Sequence, residues 1–341
     1  MTGGDPADRA FCRAILPRVS RTFALGIRLL PDGLEQAVRV SYLLCRIADT
    51  IEDTADLHAD AKAALLARWR AALDDGGPDA APLGTAFPGP RTDEERLVRE
   101  AGRVLRCFRA LAPGERAAIR PWVQEMSDGM AEFAARRAGR DGPLAALASV
   151  AELDRYCYYV AGTVGHLLTG LFRIHYPRIG PTCYARLDGL ATSFGLGLQL
   201  TNIIKDVADD RRRGWSFVPR DLCAAAGLHP DELQLPERHL DARRVMQALI
   251  AKARGHLRDA LSYCTTLPSA AYRIRIFCLT SLYFAIRTLR LAERDPRLLD
   301  PRHKVKITRG DVYRTVATTH VIAPFNPLVR SYFLRLAGAG P

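Results

Sequence analysis

Two short runs place carboxylates where metal chemistry would use them. In Asp49-Thr50-Ile51-Glu52-Asp53, Asp49 and Asp53 stand four residues apart with Arg46 one turn earlier, so a helix carries all three along one face. In the second run Gln199, Asn202, Asp206 and Asp210 follow one another at helical spacing, so two amides and two carboxylates emerge in line around the end of the uncharged stretch 189–204. Like charges at i, i+4 cost an isolated helix about 0.2–0.5 kcal/mol, and carboxylates withdrawn from water without partners cost roughly several kcal/mol each. A divalent cation offsets both. Magnesium takes one or two carboxylates and keeps positions for water and phosphate oxygens, so two such stripes would hold a small metal cluster over a diphosphate. A single D-x-x-x-D reads more simply as a solvated face paired with nearby arginines. Two of them, each set in apolar sequence with a basic residue close by (Arg46, Lys205), favour the metal.

The elements that must position these stripes are helices. Helical periodicity runs almost end to end and alternating β-branched runs are nearly absent, which predicts an all-α fold. The spacing predicts helices over 6–28, 33–56, 59–74, 93–110, 113–138, 150–175, 180–211, 240–264, 270–293 and 309–319. Pro31-Asp32-Gly33, Asp141-Gly142-Pro143 and Pro177 punctuate them. The Gly- and Pro-rich run at about 75–93 reads as a surface loop within one domain spanning 1–341, and a C-terminal extension begins at about 295.

A hydrophobic content of 48% suffices for a buried core. The balance of 49 Lys and Arg against 37 Asp and Glu, +12 in all, suits an anionic partner: nucleic acid, a membrane surface or a phosphorylated substrate. No zinc-finger spacing, aromatic-rich binding strand or separate helix-turn-helix unit is present, which argues against nucleic acid. The eight cysteines stand singly without a C-x-x-C pair, as reduced thiols of a cytoplasmic protein do. Asp5, Asp8, Arg9 and Arg13 interrupt any secretory signal. The stretches 156–172 and 189–204 lack charge but are rich in Gly, Thr, His, Gln and Asn, so they read as buried helices rather than membrane spans. Peripheral association with anionic lipid stays open.

At the two acidic runs the sequence resembles the squalene and phytoene synthase family. The first resembles that family's first aspartate-rich motif, and Asn202-Ile203-Ile204-Lys205-Asp206-Val207-Ala208-Asp209-Asp210 its second. Tyr156-Cys157-Tyr158-Tyr159-Val160-Ala161-Gly162-Thr163-Val164-Gly165 is similar to its tyrosine-containing helix, and Ser20-Arg21-Thr22-Phe23 to its N-terminal signature. The four motifs, in order, cover about residues 10 to 225. The resemblance implies one all-α isoprenoid synthase (terpenoid synthase) domain around a central cavity. Asp49 and Asp53, supported by Glu52, would bind Mg2+ on one side and Asp206 and Asp210 on the other. Ser20, Arg21 and Arg46 would grip diphosphate, with Gln199, Asn202 and Lys205 also facing substrate and Tyr156 acting in catalysis. Ala161, Gly162 and Gly165 would either allow close helix packing or widen a channel for a prenyl chain.

The implied reaction joins two farnesyl diphosphates head to head through a cyclopropyl diphosphate. Reduction by NADPH then gives squalene, or proton or water chemistry gives a phytoene-type, dehydrosqualene-type or hydroxylated product. The segment Val305-Lys306-Ile307-Thr308-Arg309-Gly310 resembles a basic stretch near the nicotinamide phosphate in eukaryotic members, which points to Lys306 and Arg309, and Phe277-Cys278-Leu279 is similar to a late cavity helix. Both lean toward the reductive branch. Two residues depart from the pattern. Lys205 stands for an arginine and loses its bidentate fork, and Trp215 follows Gly214 where an arginine is usual, leaving Arg211, Arg212 and Arg213 to compensate. No G-x-G-x-x-G fingerprint is present. A class I terpene cyclase would want similar acidic motifs but one substrate; a non-catalytic member would have lost carboxylates from one motif, and all four principal aspartates remain.

Overall fold

The structure, a computed structural model, describes residues 5–54, 56–138 and 144–338. Among these the chain is helical almost throughout. The strands are two residues each, β1 (Ala145–Ala146) and β2 (Trp215–Ser216), paired in parallel. The expected all-α class holds; the expected stop at Asp141-Gly142-Pro143 lies outside the described residues.

The chain divides into two compact units, Met1–Gly139 with Thr163–Tyr184, and Arg140–Gly162 with Ala185–Pro341. The breaker-rich run at 75–93 lies inside the first unit. It holds a short helix and buries Ala80, Leu83 and Phe87.

The first unit begins with α1 (Pro6–Val19), α2 (Arg21–Ile27), α3 (Asp32–Asp53) and α4 (Ala59–Ala72). There follow α5 (Ala81–Thr85), α6 (Asp93–Arg99), α7 (Ala101–Arg109) and α8 (Pro113–Ala138). Helix α9 (Val150–Cys157), a π-helical stretch (Tyr158–Gly162) and α10 (Thr163–His175) then run on without a break. The first two belong to the second unit and α10 to the first. The helix expected over 6–28 is two helices, because Ser20 is extended (φ −158°, ψ 113°) and its Oγ accepts the Phe23 N–H at 3.3 Å, capping α2. The helix expected over 93–110 likewise divides, at Glu100.

Helix α3 is the axis of this unit and packs against α1, α4, α6, α7, α8 and α10. Leu34, Val38, Leu43, Leu44, Ile47 and Ile51 are all within 2% of complete burial, each contributing about 1.5–3 kcal/mol. Polar ties fix the neighbours. Trp69 Nε1 donates to the Leu44 carbonyl at 3.3 Å, Lys62 Nζ to the Glu52 carbonyl at 2.5 Å, and Arg106 to both oxygens of buried Asp8 at 2.7 and 3.0 Å.

The second unit contains most of α11 (Pro181–Arg212), then α12 (Arg220–Ala225) and two 3-10 turns (Pro230–Gln234 and Pro236–Arg238). Next come α13 (His239–Thr266), α14 (Tyr272–Arg294), α15 (Arg309–Ile322) and α16 (Asn326–Ala337). Helix α14 packs against α13, α15 and α16. Helix α16 was not foreseen, although Pro327 in its first turn and Gly338 in the left-handed region (φ 81°) are its ordinary start and stop signals. No described helix is long and apolar enough to cross a membrane.

Candidate active site

The first acidic stripe lies on α3, opposite the face that carries the core. Tyr42, Arg46, Asp49 and Asp53 recur at i, i+4, i+7 and i+11 and line one side. Arg46 pairs with Asp49, and its other terminal nitrogen reaches Glu94 of α6 at 3.4 Å. Burial opposes the Arg46 charge, but Asp49, Tyr42, Glu94 and Asp53 outweigh it and hold the guanidinium protonated. Its Nε–H is buried without a hydrogen-bond partner. A buried donor without a partner is available to an oxygen acceptor.

The carboxylates are charge-crowded. Lost hydration and then Asp53 push Asp49 up to about 6, against the pull of Arg46. Glu52 is buried, and burial followed by Asp53 and Asp49 raises it well above the usual carboxylate range. Four acids (Asp49, Glu52, Asp53, Glu94) thus stand near two cations, Arg46 and Lys62. All four offer hard oxygen donors, the chemistry of magnesium rather than of zinc. Among the described residues no three His, Cys, Asp or Glu side chains converge to hold a metal by themselves. Magnesium needs only one or two carboxylates when water and phosphate complete its shell, so the donor set fits.

At the head of the stripe, Tyr42 hydrogen-bonds Ser20, donates to the Val19 carbonyl at 3.4 Å and lies against Phe23 at 5.8 Å. Burial raises its phenol pKa, with Ser20 and Arg46 pulling the other way. The structure therefore brings Ser20, Arg46, Asp49, Glu52 and Asp53 into one unit, and adds Tyr42 and Glu94. The signal for Tyr42 was its place one turn before Arg46; Glu94 comes from a separate helix and had none. Arg21 opens α2, and its side chain lies outside the described residues.

The second stripe lies on α11. Asn202 is exposed, Gln199, Lys205, Asp206 and Asp210 are half-buried, and Lys205 pairs with Asp206. Two glycines set the position of α11. A Cβ on Gly195 would lie 2.2 Å from the Ala161 carbonyl oxygen, and one on Gly197 3.0 Å from Leu257 and 3.2 Å from the α13 backbone. Gly195 and Gly197 point to opposite sides, so α11 is clasped between the π segment and α13. Ser193 reinforces the second contact, at 2.8 Å from His256 Nδ1 and 2.6 Å from Asp259. Of the two roles open to the small residues after Tyr156, close packing is what Ala161 and Gly162 do here.

Tyr156 is buried near the end of α9, its ring 4.7 Å from that of Phe217, which in turn meets Trp215 edge-on at 5.5 Å. The π segment begins two residues later; such insertions recur at functional sites. Trp215 is thus core in β2 rather than a polar contact. Compensation by the neighbouring arginines is limited, because Arg211 donates to the Pro230 and Asp231 carbonyls and Arg212 pairs with Asp209.

Asp209, between the two aspartates of the second stripe, also pairs with Lys304. That bond ties the basic segment to the end of α11. Lys306 and Arg309 are both exposed, Arg309 at the start of α15, where Thr308 and Asp311 form a capping box. The two exposed cations suit a phosphate group, while the helix N-terminus itself is already occupied by Thr308 and Asp311. Phe277 and Cys278 are buried in α14.

Against known proteins, the family model described as squalene/phytoene synthase matches residues 16–311. The squalene synthase of Schizosaccharomyces pombe is 30% identical over 307 residues, 89% of this chain and 64% of that protein. The squalene synthase of Dictyostelium discoideum is 30% identical over 282 residues, 83% and 64% of the two. The chain therefore spans a little under two-thirds of the length of these relatives. A solved structure of TcSQS with a bound ligand superposes with a TM-score of 0.82 at 27% identity, covering 99% of this chain and 93% of that one.

Proposed function

The chain belongs to the squalene/phytoene synthase family, and on that footing we propose that it joins two farnesyl diphosphates head to head through presqualene diphosphate and reduces the product to squalene. The observation that carries the reading is the pair of acidic stripes on α3 and α11, set in a chain similar to squalene synthases over most of its length.

Asp49, Asp53 and Glu52 would hold magnesium on α3, and Asp206 and Asp210 on α11; bound magnesium neutralises diphosphate charge and so eases its departure. Arg46 turns its free Nε–H, and the terminal nitrogens now on Asp49 and Glu94, toward phosphate oxygens, for which its planar fork is suited. Ser20 and Arg21 at the start of α2 add donors, and Gln199, Asn202 and Lys205 do so from α11. The aromatic pair Tyr156 and Phe217 presents π faces that stabilise a developing allylic cation, and the Tyr156 hydroxyl relays a proton.

NADPH would supply the hydride, its phosphate met by Lys306 and Arg309. Arg211 and Arg212 are already engaged by the Pro230 and Asp231 carbonyls and by Asp209, so the cofactor phosphate falls to the basic segment that Lys304 ties to the end of α11. We also infer that the protein works at a membrane surface, since its product is a hydrocarbon and its charge is strongly positive.

Purified protein incubated with farnesyl diphosphate and magnesium, with and without NADPH, tests the proposal. Squalene formed only with NADPH is the expected result. A triene or alcohol formed without it would transfer the assignment to the non-reductive branch, and no condensation at all would overturn it.

A further inference from the structure

The last two helices expose an apolar stripe that the core does not account for. Of the eleven large apolar side chains exposed among the described residues, five lie here: Tyr313 (72%), Val321 (71%), Phe325, Leu328 and Leu334. Tyr313, Ala317 and Val321 recur at i, i+4 and i+8, all exposed, while Thr315, Thr319 and Ile322 on the other side of α15 are buried. The stripe continues through the turn to Phe325 and Leu328 of α16, whose Val329, Tyr332, Phe333 and Leu336 are buried. Exposed apolar side chains that continue from one helix to the next mark a surface with a partner.

The turn that presents Phe325 is rigidly built. Arg275 of α14, 1% exposed, donates from Nε to the Ala323 carbonyl at 2.7 Å and from Nη1 to the Leu267 carbonyl at 2.5 Å. Its Nη2 donates to Asn326 Oδ1 at 2.5 Å, and the Asn326 amide reaches the Thr265 carbonyl at 3.1 Å. A buried guanidinium therefore fixes both sides of a turn whose apex aromatic is 55% exposed.

Charge selects the partner. From Pro301 onward the sequence has seven Lys and Arg and one acid, so half of the net +12 lies in the last eighth of the chain. The single acid, Asp311, is paired with Arg287. Arg314 and Arg330 are exposed beside the apolar stripe. A second copy of the chain would bring like charges together, whereas an anionic bilayer offers negative headgroups to the arginines and an apolar layer to Phe325 and Val321.

We propose that the exposed face of α15 and α16, centred on Val321, Phe325 and Leu328 and rimmed by Arg314 and Arg330, docks on anionic lipid headgroups and seats its apolar stripe at the membrane interface. This rests on the membrane-surface reading above and names the face that performs it.

The test is co-sedimentation of the full chain with vesicles of phosphatidylcholine mixed with phosphatidylglycerol, and with pure phosphatidylcholine. Binding is expected to the mixed vesicles and to weaken with salt. Arg314→Gln with Arg330→Gln should lower partitioning roughly 25-fold, from about 1 kcal/mol per basic residue at tenfold per 1.4 kcal/mol. Val321→Asp with Phe325→Asp should abolish it, while turnover in detergent stays at the wild-type rate, which also reports that the variant is folded. Leu25→Asp and Ile174→Asp, exposed apolar residues of the first unit, should bind as wild type. Loss of binding in that control pair but not in the α15–α16 variants would overturn the proposed face and leave the membrane-surface reading standing. No binding by the wild type would overturn both. A wild-type dimer in sedimentation velocity that Phe325→Asp converts to monomer would assign the face to self-association and overturn the proposal.

Discussion

Replacing Gly195 by alanine should damage this protein more than its chemistry suggests. The added Cβ would stand 2.2 Å from the Ala161 carbonyl oxygen, 2.5 Å from its carbon and 2.7 Å from the Gly162 nitrogen. All three are backbone atoms of the π segment, so no side chain can rotate away. Restoring an ordinary contact of 3.4 Å requires α11 and that segment to separate by about 1.2 Å. Forced overpacking costs about 1–3 kcal/mol, and a clash with backbone belongs at the upper end. Alanine returns about 1 kcal/mol of helix propensity. The net loss is about 2 kcal/mol, a fall in Tm of about 3 °C for a chain of this length. Because α11 also carries Asn202, Asp206 and Asp210, the shift displaces the second stripe, and a 1 Å misplacement of reacting groups costs on the order of 100-fold in rate. Gly189→Ala on the same helix is the control: nothing lies within 4 Å of its Cβ, so it should raise Tm slightly and leave turnover unchanged. Calorimetry and steady-state turnover of the proposed substrate, farnesyl diphosphate, measure both. If Gly195→Ala melts and turns over as wild type, the clasp does not position the second stripe.

Asp49→Asn and Asp206→Asn should each lower turnover at least 100-fold with the helical circular dichroism spectrum intact; wild-type rates in either would remove its stripe from the mechanism. Arg275→Met should destabilise by about 3–5 kcal/mol in urea, because it leaves the Leu267 and Ala323 carbonyls and Asn326 Oδ1 without their donor, and a loss below about 1 kcal/mol would contradict the clamp. Hydrogen bonds from Arg106 hold the Asp8 carboxyl below its ordinary value. A lowered folded-state pKa gives stability present above the unfolded value, near about 3.9, and lost as pH falls through the folded one. The stability gap between wild type and Asp8→Asn should therefore be full at neutral pH and close below about pH 4; a gap that does not change with pH would exclude the charge pair.

Much of the site was readable before any coordinates. Both stripes fall on single helices, since residues three and four apart share one face of a helix by its repeat alone. The all-α class follows from the same periodicity. Other features depart from what the residue types suggest. Ser20 looked like a residue within one long helix, yet it caps the next; a serine can do either, and the packing of α1 and α2 against α3 decides. Arg211 and Arg212 looked available for substrate and are bound to carbonyls and to Asp209.

Tertiary contacts settled everything that joins distant residues. Glu94 reaches Arg46 across 48 positions, Lys304 reaches Asp209 across almost a hundred, and Gly195 abuts Ala161, where small residues signal a close approach without naming the partner. A helix repeat orders the side chains of one segment in any surroundings, so composition and spacing reveal which residues could act together along it. Which segments meet, and which charges remain free once they do, depends on how the cores of α3 and α14 close around their neighbours, and that is a property of the packed chain.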